Sequence, residues 1–329
     1  MRRRQFIACA GWGAVATTPW TQRRAVAQPA ALPVIALLGS TSAGLEMTRP
    51  FVAGLAEAGL EDGRNVSIRY RWADNRLDRL PGLVGELLKL QPAVIVTIGG
   101  LAPAAAAKAA TATVPIVFEV GRDPVASGLV AGLDRPGGNL TGVYMLTAAL
   151  NGKRLELLHE MVPRAATFGA LINHGNVGAR LVESELTTAA AALGMQLRIV
   201  RAGNDAEIEA AFATFTAQRV EAVIVTNDAY FNTRREKLVA LTTRAALPAI
   251  FEWREFAARG GLMSYGTDFT DVMRQLGGHV ARVYKGAKPA DLPVLQPTRF
   301  RLVINEHTAR DLGLPIPSAM RVRADEVIR

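Results

Sequence analysis

The chain has 329 residues, a formal net charge of +9 and one cysteine. Arg2, Arg3, Arg4, Arg23 and Arg24 lie in the first 27 residues with no acid to offset them, so the remainder balances 33 basic against 29 acidic residues. With no basic run that interleaves aromatics, this surface excludes a nucleic-acid footprint; the lone Cys9 excludes a disulfide framework, and His159, His174, His279 and His307 stand singly, without metal-ligand spacing.

The N-terminus reads as an export address. Arg2 to Arg4 form a basic start, Phe6 to Val15 a short apolar stretch and Ala25, Val26 and Ala27 a small-residue exit, the arrangement of a cleaved signal peptide. The apolar stretch is shorter than the ~20 residues a spanning helix needs. Arg3-Arg4-Gln5-Phe6-Ile7 fits the twin-arginine export pattern, with an arginine-rich general secretory signal as the alternative. Cleavage after Ala27 starts the mature chain at Gln28, outside the cytoplasm, and removes Cys9. The mature chain is then cysteine-free, and its length exceeds the roughly 100–200 residues of one domain, which predicts two lobes.

From Val34 onward, short β-rich apolar runs alternate with longer helical patterns, the signature of an α/β fold with parallel sheets and crossover helices. The first half offers strands VIALLGS from Val34, VSIRYRWA from Val66, AVIVTIG from Ala93, PIVFEV from Pro115 and LTGVYM from Leu140, with helices such as Thr48 to Ala58 and Leu80 to Leu90. The second half repeats the plan with TFGALIN from Thr167, QLRIVRA from Gln196, AVIVTND from Ala222, PAIFEW from Pro248 and GLMSYG from Gly261. The offsets between corresponding starts are 133, 130, 129, 133 and 121 residues, which predicts two similarly built lobes without a residue-level repeat.

After Gly266 the pattern changes to a helix from about Thr270 to Gly286, a proline-punctuated stretch KPADLPVLQPTRF, a strand FRLVIN and a helix from His307 to Leu312. Such a tail suits a chain that crosses between lobes several times, the helix completing the first lobe and the strand the second. The expected division is residues 28–145 with 267–290 for the first lobe, and 146–266 with 291–329 for the second. Repeated crossing makes a hinge.

In open parallel sheets ligands bind at the carboxyl ends of strands, near helix N-termini. That rule selects Ser40 and Thr41, Gly99 and Gly100, Gly121 and Asp123, Asn173, Asn227 and Asp228, Glu252 and Tyr265. GSTSAG at Gly39 to Gly44 offers hydroxyls and backbone N–H groups for a carboxylate, and reads equally as a turn with helix caps. The glycine pair before LAPAAAAKAA suits an anion but lacks the residues of a P-loop or a dinucleotide fingerprint, which excludes a nucleotide cofactor. Asp123, before Pro124, caps a helix start as readily as it contacts a ligand. Asp228 and Glu252 suit a ligand ammonium, and Trp253 suits stacking on a ring or packing in the core. No GxSxG elbow or equivalent nucleophile constellation is present, so no enzyme is expected.

The segments FVAGLAEAGLEDGRNVSIRYRWADNRLDRLPGLVGELL, PIVFEVGRDPVASGLVAGLDRPGGNLTGV, GKRLELLHEMVP, YFNTRREKLVALTTRAALPAIFEWREFAARGGLMSYG and the tail with KPADLPVLQPTRFRLVIN and RADEVIR together resemble the ABC-transporter substrate-binding proteins of the type I periplasmic-binding fold, in the subfamily that includes tryptophan-binding receptors. The resemblance implies two Rossmann-like lobes joined by a multi-strand hinge. It further implies a monomeric periplasmic receptor, free of cofactor, that closes on a small ligand and delivers it to an ABC permease in the inner membrane. The implied ligand is an amino acid, aromatic in the better-known members; by the strand-end rule its carboxylate suits Ser40, Thr41 and Gly100 and its ammonium Asp228 or Glu252. A sensing subunit that presents ligand to a membrane signalling protein would use the same cleft.

Overall fold

The computed structural model describes residues 31–42 and 45–329. The export segment over residues 1–27, Gln28, and Ala43 and Gly44 of the GSTSAG run lie outside the described residues.

Five strands form the first sheet: β1 (Val34–Gly39), β2 (Ser67–Trp72), β3 (Val94–Ile98), β4 (Ile116–Val120) and β5 (Leu140–Tyr144). They run parallel in the order β2-β1-β3-β4-β5. Helices α1 (Leu45–Glu57), α2 (Leu80–Leu88) and α3 (Leu101–Ala110) make the crossovers. Every residue of β3, β4 and β5 is buried, as expected of a parallel sheet covered on both faces.

The chain then crosses to the second sheet through residues 145–150. Helix α4 (Asn151–Met161) leads to β6 (Thr167–Ile172), α5 (Ala179–Ala192), β7 (Gln196–Arg201), α6 (Asp205–Ala217), β8 (Ala222–Val225), α7 (Ala229–Thr233), α8 (Arg235–Arg244), β9 (Ala249–Phe251), α9 (Arg254–Ala258) and β10 (Met263–Thr267). After Asp268 the chain returns to the first sheet as α10 (Phe269–Tyr284), which packs against α1 and across β3, β4 and β5. The two helices approach closely at glycines. A Cβ on Gly54 would collide with the Arg274 carbonyl, and one on Gly277 with the Phe51 carbonyl.

Residues Leu292 to Leu295 then lie along the free edge of β5. Leu295 N donates to Gly142 O (2.9 Å), Tyr144 N donates to Leu295 O (2.8 Å) and Val294 N donates to Leu133 O (2.8 Å). Thr141 Oγ1 donates to Leu292 O at 2.7 Å and lies 3.0 Å from His279 Nε2. The hydroxyl proton is spent on Leu292, so His279 donates from Nε2. Burial depresses the His279 pKa to about 4.

A third crossing leads into β11 (Phe300–Asn305), α11 (Glu306–Asp311), α12 (Ser318–Arg323) and β12 (Glu326–Ile328). The second sheet has the order β12-β11-β10-β9-β8-β6-β7. Its β11 runs antiparallel to β10, against the all-parallel expectation. The chain enters β11 from the edge of the first sheet, not through a crossover helix on its own sheet, so the geometry that enforces parallel pairing is absent. Strand β12 was not expected either; its three residues are all half-buried and form no apolar run.

Three apolar clusters fill the interior. One covers the α2 and α3 face of the first sheet, a second the α4 and α5 face of the second sheet. The third runs from the α1 and α10 face of the first sheet through Met145, Phe269 and Trp253 to the α6, α8 and α9 face of the second. Two parallel-dominated sheets flanked by helices, joined at three crossings, are the architecture of a type I periplasmic binding protein.

Candidate functional site

The carboxyl ends of both sheets open onto one cavity of about 230 Å³. From the first sheet it is lined by Ser40, Gly99, Gly100, Glu119, Gly121 and Arg122; from the second by Asn173, Asn176, Asn227, Asp228, Tyr230 and Trp253. Met145 at the first crossing and Phe269 at the second complete the wall.

Local structure explains each position. Gly99 and Gly100 have φ of 86° and 103°, the left-handed region open to glycine, and turn the chain from β3 into α3. No side chain caps α3 at Gly100, so the first N–H groups of the helix have no intrahelical partner and favour an anion. Ser40 Oγ donates to Gly99 O (2.8 Å) and fixes the two strand ends side by side. Gly99 N donates to Oε2 of Glu119 at 2.9 Å. Glu119 is 3 % exposed, and burial lifts its pKa to about 7, against a smaller downward pull from the Gly99 N–H.

On the opposite wall Asp228 caps α7. Its Oδ1 accepts from Tyr230 N (2.9 Å), Phe231 N (3.3 Å) and Asn173 Nδ2 (2.8 Å), and its Oδ2 from Asn176 Nδ2 (2.9 Å). Burial raises the Asp228 pKa in spite of these donors. The ring of Tyr230 is fixed by its hydroxyl, which donates to Asp205 Oδ1 (2.8 Å), and by the Arg234 guanidinium 4.7 Å from the ring centroid. Trp253 and Phe269 stack with centroids 4.3 Å apart, and so link the end of β9 to the start of α10. Arg122 Nη1 donates to Gly178 O at 2.9 Å, joining the loop after β4 to the start of α5.

Seven of the residues chosen from strand ends meet in this cavity, Ser40, Gly99, Gly100, Gly121, Asn173, Asn227 and Asp228, together with Trp253. Four others do not line it. Thr41 is 1 % exposed, with its hydroxyl turned to Ser42 O at 3.5 Å. Asp123 is exposed and its Oδ1 accepts from Val125 N (2.8 Å) and Ala126 N (3.2 Å), the capping role. Tyr265 turns its ring to Phe300 and its carbonyl to Arg154 Nε (2.7 Å). Glu252 is 3 % exposed and lies behind Trp253, with Arg154 Nη2 at 3.7 Å from its Oε1. Burial raises its pKa to about 7, while Arg154 and the Trp253 indole N–H draw it down.

Strand-end logic passed over Glu119, Arg122, Tyr230 and Phe269. Glu119 carried a signal, a lone acid inside an apolar strand, and Arg122 adjoins the residue chosen in its place. Tyr230 and Phe269 sit on helices, where an aromatic reads as core. No group of three or more His, Cys, Asp or Glu among the described residues could hold a metal. No described helix is long and apolar enough to cross a membrane.

Residues 34–328 match the family model described as ABC transporter substrate binding protein. A tyrosine-binding protein from Clostridioides difficile is 23% identical over 273 residues, covering 83% of this chain and 78% of that protein. Among solved structures, a conserved domain protein from Vibrio cholerae superimposes with a TM-score of 0.82 at 27% identity, covering 90% of this chain and 99% of that one. The ABC domain from Streptococcus pneumonia in complex with L-Trp gives 0.81 at 26% identity, covering 90% of this chain and 100% of that one.

Proposed function

We propose, from the premise that the chain belongs to the ABC transporter substrate-binding protein family, that it is the extracytoplasmic receptor of an ABC importer and captures an amino acid with an aromatic side chain. The carrying observation is the cavity itself, which sets a helix N-terminus and an acidic cap on opposite walls beside the Trp253–Phe269 stack. An amino acid asks for that combination. Its carboxylate suits the free N–H groups at α3 and its ammonium suits Asp228. Its ring suits Tyr230, Trp253 and Phe269. The L-Trp-bound relative and the tyrosine-binding relative support the aromatic choice.

In this reading the ligand contacts both lobes and shifts the population toward the closed arrangement, which a membrane permease recognises. The receptor works as a monomer in the periplasm, reached through the signal over residues 1–27. Thermal-shift screening of the mature protein against amino acids tests the ligand class. Stabilisation by tyrosine or tryptophan is expected; stabilisation by some other solute and by no amino acid would overturn it.

A further inference from the structure

Glu119 and Asp228 face one cavity from opposite sheets. Both are more than nine-tenths buried. Glu119 Oε2 is occupied by the Gly99 N–H, and its other oxygen takes no hydrogen bond among the described residues. Of the described basic side chains nearby, Arg122 donates to the Gly178 carbonyl, His174 pairs with Glu207 Oε2 at 2.8 Å, and the buried Arg154, which does not line the cavity, donates to Tyr265 O, Thr147 O and Asn151 Oδ1. A third carboxylate, Glu252, lies close enough to be disfavoured by both Glu119 and Asp228. The cavity is therefore lined by two buried carboxylates against the single guanidinium of Arg122, which is turned to the Gly178 carbonyl.

We infer that a primary ammonium on the ligand is gripped between Glu119 on the first lobe and Asp228 on the second, and that this grip makes closure depend on the ligand. The inference rests on the amino-acid reading and deepens it. Two carboxylates brought together across a low-dielectric cleft repel each other. A cation between them turns that repulsion into two attractions, so solutes that fill the cavity but lack the charge leave the lobes apart. Selectivity for an amine and closure then share one cause. Carboxylic acids of the same shape are rejected although the N-terminus of α3 would accept them.

The same geometry predicts proton release. Burial holds the Glu119 pKa at about 7, and an adjacent ammonium favours its ionised form. Binding of an amine near neutral pH displaces part of a proton, and affinity rises with pH through that range.

Isothermal titration of the mature protein with L-tryptophan and L-tyrosine, and with indole-3-propionate and 3-(4-hydroxyphenyl)propionate as amine-free counterparts, tests the inference. The wild type is expected to prefer the amines by at least about a hundredfold, and Glu119→Gln to narrow that ratio at least tenfold. Glu119→Asp, which keeps the charge on a shorter stem, is expected to fall between them and serves if the amide variant does not fold. Titration at pH 7 in phosphate and in Tris is expected to show proton release for the amines and none for the counterparts. An unchanged ratio in both variants, or no proton release, overturns the inference while leaving the amino-acid reading intact. Failure of every amino acid to bind overturns that reading and the inference with it.

Discussion

The guanidinium of Arg122 donates through Nη1 to the carbonyl oxygen of Gly178 at 2.9 Å, a hydrogen bond that spans the cavity from one sheet to the other. The contact needs a bare backbone at its far end, since a Cβ on Gly178 would collide with the guanidinium. If the halves close on a ligand as proposed, this hydrogen bond is expected to act as a latch. Arg122→Ala and Gly178→Ala are both expected to weaken ligand binding by about tenfold, the value of one hydrogen bond to a charged group, mainly through faster release. Stopped-flow dissociation measures this; an unchanged release rate in both variants would discard the latch.

Trp253 supplies a wall of the cavity and a stack on Phe269 at 4.3 Å. Trp253→Phe retains an aromatic pair and is expected to cost less than about tenfold in affinity for an aromatic amino acid, whereas Trp253→Ala costs more, because stacking contributes about 0.5–1.5 kcal/mol beyond area burial. Equilibrium binding of L-tyrosine distinguishes the two. Intrinsic fluorescence adds a second readout: the tyrosine-induced change is expected to vanish in Trp253→Phe, leaving Trp72 as the sole tryptophan of the described residues.

Arg154 is fully buried and bridges two crossings. Its Nη1 donates to Thr147 O (3.1 Å) at the first, and its Nε donates to Tyr265 O (2.7 Å) just before the second. Arg154→Met strips both carbonyls of a donor and leaves Glu252 without its counter-charge. Loss of one partner of a buried pair costs about 3–5 kcal/mol. The double variant Arg154→Met, Glu252→Gln is expected to be more stable than Arg154→Met alone, by urea unfolding. Equal stability would remove the charge from the explanation.

Stability should fall as pH rises from about 4.5 to 7 through Glu119 and Glu252. Both have folded pKa values near 7 against an ordinary 4.5, so the unfolded chain loses its protons first and the slope is negative. His279 acts in the opposite sense. Its folded value of about 4 against 6.5 withdraws stability as pH falls below 6.5. Urea midpoints at successive pH values should therefore show a flatter decline between 4.5 and 7 in Glu252→Gln than in the wild type; parallel curves would refute the assignment.

Sequencing the N-terminus of the exported protein should give Gln28 as its first residue. Replacing Arg3 and Arg4 with lysine is expected to block export through the twin-arginine route, and unchanged export would point to the general secretory one.

Apolar periodicity marked eleven of the twelve strands in the two sheets, most directly the central ones, because a strand buried on both faces has to be apolar throughout. Orientation was not legible: FRLVIN reads as a strand in either direction, and only the path of the preceding chain along β5 makes it antiparallel. The cavity was half legible for a related reason. Residues at strand ends, such as Ser40 and Asp228, follow from topology, whereas Phe269 reaches the cavity only because α10 returns to the first sheet. Glu119 was hidden by the opposite error, a cavity-lining acid read as part of an apolar run.

The return of α10 and of residues Leu292 to Leu295 to the first sheet has a genetic consequence. Neither half is a continuous stretch of coding sequence. A chain ended by a stop codon after Gly266 would lose the helix that covers α1 and three strands of the first sheet, and would also lose β11 and β12 from the second. Late truncations should therefore damage both halves at once, and nascent chains leaving the ribosome cannot finish the N-terminal half until Leu295 has been added, with about a tenth of the protein left to make.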